Sequence, residues 1–164
     1  MLAKYHGKLY NYVEIKEKKY LMTYDSRKID DSFCAQRNYY LKDITMSMND
    51  IEEIYALHFW VTYKDTIEDE VDWLVDEGQP LFQVPDIKKQ EVGLVVMHDS
   101  KGDSWIQHDK CAASKIVKLD ECEKLCIEKH SIFYQGCSAD EKKNTEVSSD
   151  EFINTIIAYR RENN

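Results

Sequence analysis

Proline and glycine are scarce, at two and five in 164 residues, which leaves little room for flexible linkers. Glycine-rich phosphate loops, G-x-S-x-G elbows and H-E-x-x-H pairs are all missing, and with them the sites those patterns build. No C-x-x-C motif is present, so the common dithiol redox arrangement is excluded. No window approaches the roughly 18 uninterrupted apolar residues of a membrane helix. The opening segment "MLAKYHGKLYNY" has no apolar run of signal-peptide length. Basic charge is in deficit, with 22 Lys and Arg against 31 Asp and Glu, a net of -9. Such a balance disfavours nucleic acid phosphates and anionic membranes, both of which attract a basic footprint. It suits a basic protein partner.

What is present argues for a packed globule. Hydrophobic residues make up 43% and aromatics 12% of the chain, too many for an acidic disordered tail. Eleven tyrosines and three tryptophans favour strands, whose half-buried surface suits aromatic rings. Five cysteines, an odd number without a secretory signal, read as reduced thiols and make the cytoplasm the expected location. The length suits one domain spanning residues 1–164.

Periodicity predicts the elements. "KLYNYVEIKEKKYLMTYD" alternates on both sides of Glu17-Lys18 and reads as a hairpin. Asn49 is placed to cap a helix in "MNDIEEIYALHF", with Asp50, Glu52 and Glu53 in its first turn and an apolar stripe of Ile51, Ile54 and Tyr55. A strand through Phe59, Val61 and Tyr63 follows, with "EVDWLVDEG" as its hairpin partner. "EVGLVVMHD" and "DSWIQHD" read as a second hairpin. A helix over "LDECEKLCIEKH", a strand at "SIFYQGC", a polar loop at "SADEKKNTEVSS" and a final helix complete the chain. In that final helix Ser148 or Ser149 caps, and Phe152, Ile153, Ile156 and Ile157 face inward. The expected class is α+β, an antiparallel sheet built from hairpins with two or three packed helices.

A shift of 71 positions lays "NDIEEIYALHFWVTYKD" over "DECEKLCIEKHSIFYQG". Ile51 then meets Cys122, Ile54 meets Leu125, Tyr55 meets Cys126 and Tyr63 meets Tyr134. The match is by residue class and describes one helix-strand unit occurring twice.

That comparison bears on the first candidate site. Cys122, Cys126 and His130 share one face of the expected helix, and Cys111 or His108 would complete a tetrahedral zinc set. In the repeat register, however, the two cysteines take the core places of Ile51 and Tyr55, and free cysteine packs as a small hydrophobe. Glu121 and Glu123 would also raise a thiol pKa rather than activate it. No metal or other cofactor is expected. A second cluster, His98, Asp99 and Ser100, is explained by a tight polar turn, because neighbouring residues in a strand point apart and form no triad.

The stretch "DTIEDEVDWLVDEG" carries seven carboxylates and no basic residue. Glu68, Asp69, Glu70, Asp72, Asp76 and Glu77 surround Trp73, an acidic rim about an aromatic anchor of the kind found in steered protein complexes. The competing reading places Trp73 in the core with the charges guarding a strand edge.

In size, acidity and mixed pattern, and in "FWVTYKDTIEDEVDWLVDEG", the chain resembles the small acidic immunity proteins that accompany bacterial polymorphic toxins. The resemblance implies a non-enzymatic module that binds a cognate toxin stoichiometrically, using Asp69, Glu70, Asp72, Asp76 and Glu77 to steer and Trp73 to anchor. Two alternatives stand beside it. One is a small enzyme or metal-binding domain built on the Cys/His segment or His98. The other is a homodimer formed through an exposed strand edge.

Overall fold

The computed structural model describes residues 1–64, 71–74, 89–96, 105–107 and 113–163. The chain opens with β1 (Leu2–Tyr5), β2 (Lys8–Ile15) and β3 (Lys18–Thr23), joined by two-residue turns. His6 and Gly7 have φ of 47° and 71°, and Lys16 and Glu17 have 50° and 68°. Two consecutive positive φ values match the right-handed twist of the flanking strands, as hairpins of this length require. Glycine adopts that geometry freely, whereas Lys16 and Glu17 hold it against a steric penalty. The hairpin expected at Glu17-Lys18 is real, with its turn one residue earlier.

β4 (Cys34–Ala35), β5 (Tyr40–Asp43), β6 (Ile51–Tyr63), β7 (Val71–Leu74), β8 (Glu91–Val96), β9 (Ile106–Gln107), β10 (Ala113–Lys118), β11 (Lys124–Tyr134) and β12 (Cys137–Glu146) follow, and α1 (Ser149–Asn163) ends the described chain. One sheet runs β12-β11-β6-β1-β2-β3-β5-β4, with β7 also paired to β6. A second runs β8-β10-β9. Every register given for these pairs is antiparallel.

The expectation of two or three packed helices is therefore overturned. Among the described residues there is one α-helix, and 58% lie in strands, antiparallel in every register given. The helix expected after Asn49 is a single 3-10 turn, Met48–Asp50, leading into the 13-residue β6. Its helix-like stripe has a local cause. Tyr5 pairs with Ile51 and Lys4 with Glu53, so Glu52 is an extra residue in a bulge. The bulge puts Ile51 and Ile54, three apart, on the same buried side, at 1% and 2% exposure. Further along, burial moves to odd-numbered Phe59 and Val61. A strand whose buried parity changes midway imitates a 3.6-residue period.

The helix expected over residues 119–130 is likewise a 3-10 turn, Leu119–Glu121, followed by β11. The expected helix-strand repeat is overturned with its helices, although the two segments correspond as turn and strand. At an offset of 71, Met48–Asp50 coincides with Leu119–Glu121, and β6 and β11 end on the equivalent Tyr63 and Tyr134. The wiring before each turn also recurs, since β3-β5-β4 and β8-β10-β9 have the same order. Two local corrections follow. Among the described residues β8 and β9 each pair with β10, where a β8-β9 hairpin was expected, and the segment expected to be a polar loop is mostly β12. β12 was hidden because nine of its ten residues are exposed, leaving no apolar alternation to read.

The chain divides into two compact units, both discontinuous in sequence. The first comprises residues 1–57, 129–143 and 158–164. Its core gathers Tyr5, Tyr10, Tyr12, Leu21, Phe33, Ile44, Ile51 and Ile54, with Ile132 and Phe133 packed against them. Lys42 enters this unit with its side chain only 12% exposed and donates to the Tyr5 hydroxyl at 2.5 Å. The second unit comprises residues 58–128 and 144–157. Its buried apolar residues include Phe59, Val61, Leu94, Trp105, Val117, Leu119 and Leu125, and from α1 Phe152 and Ile156. Phe152 meets Phe59 edge to face, centroids 5.6 Å apart. Ser148 caps α1 by accepting the Glu151 N–H at 3.3 Å. Ile157 was expected to face inward and is instead 47% exposed.

Candidate functional site

Strand alternation builds a pocket in the second unit. Trp60 and Thr62 lie two apart on β6, Cys126 and Glu128 lie two apart on β11, and Asn144 reaches in from β12. Residues at i and i+2 share a sheet face. The intervening Val61 and the adjacent Phe59 and Leu125 are buried on the other side, so core packing holds the lining residues outward. The pocket measures about 240 Å³. It offers an indole, a hydroxyl, a thiol, a carboxylate and an amide, and no Lys or Arg stands among its described lining residues. None of the five except Cys126 drew attention in the sequence, and Cys126 did so for another reason. The readable signal was the Trp60/Thr62 alternation.

A second, smaller pocket of about 170 Å³ lies in the first unit, lined by Glu53, Lys129, Ser131, Tyr134, Glu141 and Lys143. Here the charges are already matched. The Lys129 ammonium donates to Glu53 at 2.7 Å and sits 4.4 Å from the Tyr55 ring centroid. Ser131 donates to the other Glu53 oxygen at 2.7 Å. With Glu53 only 13% exposed, this network neutralises a nearly buried carboxylate, as burial demands. On the neighbouring carboxylate, Glu52 is held below the usual range first by the hydrogen bond from Lys4 and then by the Gly7 N–H. The same region is a structural clasp rather than an open site.

The shared face proposed for Cys122, Cys126 and His130 does not exist in this form. Cys122 follows the 3-10 turn, while Cys126 and His130 lie in β11, where four residues span about 13 Å. His130 instead pairs with Asp140 on β12 at 2.8 Å. Cys122 contacts the Lys118 carbonyl at 3.5 Å, and burial, then Glu121 and Asp120, push its thiol up to about 11. Cys34, Cys122 and Cys137 are free thiols. Among the described residues no three His, Cys, Asp or Glu side chains come together around a metal position. Cys111, His108, His98, Asp99 and Ser100 lie outside the described residues.

Of the acidic stretch, Glu68, Asp69, Glu70, Asp76 and Glu77 also lie outside the described residues. Asp72 and Trp73 belong to β7, where Asp72 stands opposite Thr62 and Trp73 opposite Val61. The register thus brings the backbone of Asp72 beside a residue that lines the pocket.

Charge is divided unequally between the units. Residues 58–128 and 144–157 hold 19 Asp and Glu against 8 Lys and Arg, a balance of -11. The remaining residues hold 12 against 14, a balance of +2, and the two together give the net of -9. All of the net acidity belongs to the second unit. No described helix is long and apolar enough to cross a membrane. No family model, curated protein or solved structure matches the chain.

Proposed function

We propose that this protein is a stoichiometric, cytoplasmic protein-binding module whose second unit receives a basic partner, as an immunity protein receives its toxin. The carrying observation is the charge division, -11 against +2. A charge excess confined to one compact unit creates a directional field that speeds encounter with a basic surface. The acidic stretch from Asp65 to Glu77 contributes seven of those carboxylates and flanks β7. Cys34, Cys122 and Cys137 as free thiols suit a reducing compartment.

The test compares the wild-type chain with an Asp72→Lys, Asp76→Lys, Glu77→Lys variant in capture from the native host, followed by association kinetics on the purified partner. A basic partner bound one to one, with association slowed in the variant and by salt, supports the proposal. A partner that associates equally fast with both chains, at low and high salt alike, overturns it.

A further inference from the structure

Among the described residues the two ends of the larger sheet are finished differently. At one end stands β4, only two residues long, and a very short edge strand is one way proteins blunt a sheet edge. At the other stands β12, ten residues long, nine of them exposed, with no proline or glycine within it. An edge of about twice the usual strand length presents a row of N–H and C=O groups that another strand can pair. Charge on an edge ordinarily discourages such pairing, but here its order matters. Asp140, Glu141, Lys142 and Lys143 run acid, acid, base, base. A parallel copy in register would set like against like, whereas an antiparallel copy brings acids to bases.

We infer that β12 is a homodimerisation edge, to which a second copy of this chain adds its own β12 antiparallel about a two-fold axis. Symmetry narrows the register. Side chains opposite each other share a sheet face while neighbours along one strand do not, so one residue must face its own counterpart. The longest ladders put Glu141 or Lys142 on the axis. With Glu141 there, the opposed charges would be Asp140 and Lys142, both already engaged within the chain, Asp140 with His130 at 2.8 Å. With Lys142 there, Glu141 faces the second copy's Lys143, and the pair occurs twice. Glu141 and Lys143 are exposed and stand outside the hydrogen-bonded set of Glu53, Lys129 and Ser131. The structure therefore favours Lys142 on the axis, with Asp140 of each copy two positions along on the same face to offset the facing ammonium groups. This edge is independent of the basic-partner reading, because Glu141 and Lys143 belong to the first unit and the net acidity to the second.

Sedimentation of the full chain is the test, with reductant present so that the exposed Cys34 and Cys137 cannot link copies. An edge-to-edge ladder lies at the small end of specific interfaces, so a dimer Kd of roughly 1–100 µM is expected. Glu141→Lys and Lys143→Glu should each weaken the dimer about tenfold, since each sets like charges opposite at two symmetric places. Both positions are on the surface, and circular dichroism checks that each variant is folded. Mixed in equal amounts, the two variants should form a heterodimer about as tight as the wild type, because every like pair becomes an opposite pair. The double swap Glu141→Lys with Lys143→Glu should restore the homodimer for the same reason. A chain that stays monomeric to about 500 µM, well above that range, overturns the inference. So do single variants that dimerise as the wild type does, or a mixture no tighter than either variant alone. Protection of the β12 amides from hydrogen exchange only when another protein is bound also overturns it, and assigns the edge to that partner.

Discussion

The contact between Phe59 and Phe152 offers the strictest test of how the second unit is held together. Both rings are fully buried, and they meet edge to face at 86° with centroids 5.6 Å apart. Phe152→Ala removes a whole ring from a site already at 0% exposure, and such truncations cost about 3–5 kcal/mol. For a chain of this size that corresponds to a fall in melting temperature of about 6–20 °C. The pair itself is isolated by a double-mutant cycle with Phe59→Leu and Phe152→Leu, which keep apolar volume while removing the aromatic geometry. A coupling of about 0.5–1.5 kcal/mol is expected beyond the separate losses. Ile157→Ala is the control, because at 47% exposure it should cost less than about 1 kcal/mol despite lying one turn from Ile153. Urea denaturation followed by circular dichroism reads all of these. A loss near zero for Phe152→Ala, or a cost for Ile157→Ala as large as that for Phe152→Ala, would refute the packing of α1 described here.

Three further outcomes follow from local chemistry. Glu17→Gly should stabilise the protein by about 1 kcal/mol, since glycine accepts the φ of 68° that Glu17 holds under strain; unchanged or lower stability in urea would count against that turn. Cys122 should alkylate slowly at pH 8, because a thiol pushed up to about 11 from 9.0 has about 100-fold less thiolate than an ordinary one; peptide mapping that finds it modified as fast as the exposed Cys34 and Cys137 would contradict this. Acid should weaken the first unit through Asp30, Asp43 and Glu52, all held below their ordinary values, by Ser32, by Thr45 and by Lys4 and Gly7 respectively. Groups lowered on folding add stability above their unfolded values near pH 4, and that contribution disappears as pH falls through the folded values. Melting temperature measured from pH 6 to pH 2 should therefore drop below about pH 4, and Asp43→Asn should flatten the drop.

Some of this architecture was legible one residue at a time. The alternation on both sides of Glu17-Lys18 announced a hairpin, and β2 and β3 form it over Lys8–Ile15 and Lys18–Thr23. The serines before Asp150 and the four-residue spacing of Phe152 and Ile156 announced α1, whose cap and buried face both lie there. β6 and β11 were legible as elements and misread in kind. The spacing of Ile51 and Ile54 depends on a bulge opposite β1, so it carries a helical period only because a strand 46 residues or more earlier in the chain pairs with it. β12 could not be seen at all, because Asp140, Glu141, Lys142 and Lys143 follow no period and gain their strand geometry from pairing with β11.

The site divides in the same way. Composition and order along the chain determined its net charge, its run of seven carboxylates, its missing catalytic motifs and its turn-forming positions, because these are properties of residue type and short-range spacing. Only the tertiary structure decided that Cys126 lines a pocket with Trp60 and Glu128 instead of sharing a helix face with Cys122 and His130. The physical reason is that strands place neighbours by hydrogen-bonded register across distant segments, so residues 60, 62, 126, 128 and 144 meet without any local pattern linking them. The gathering of all net acidity into one compact unit is a consequence of the same long-range pairing.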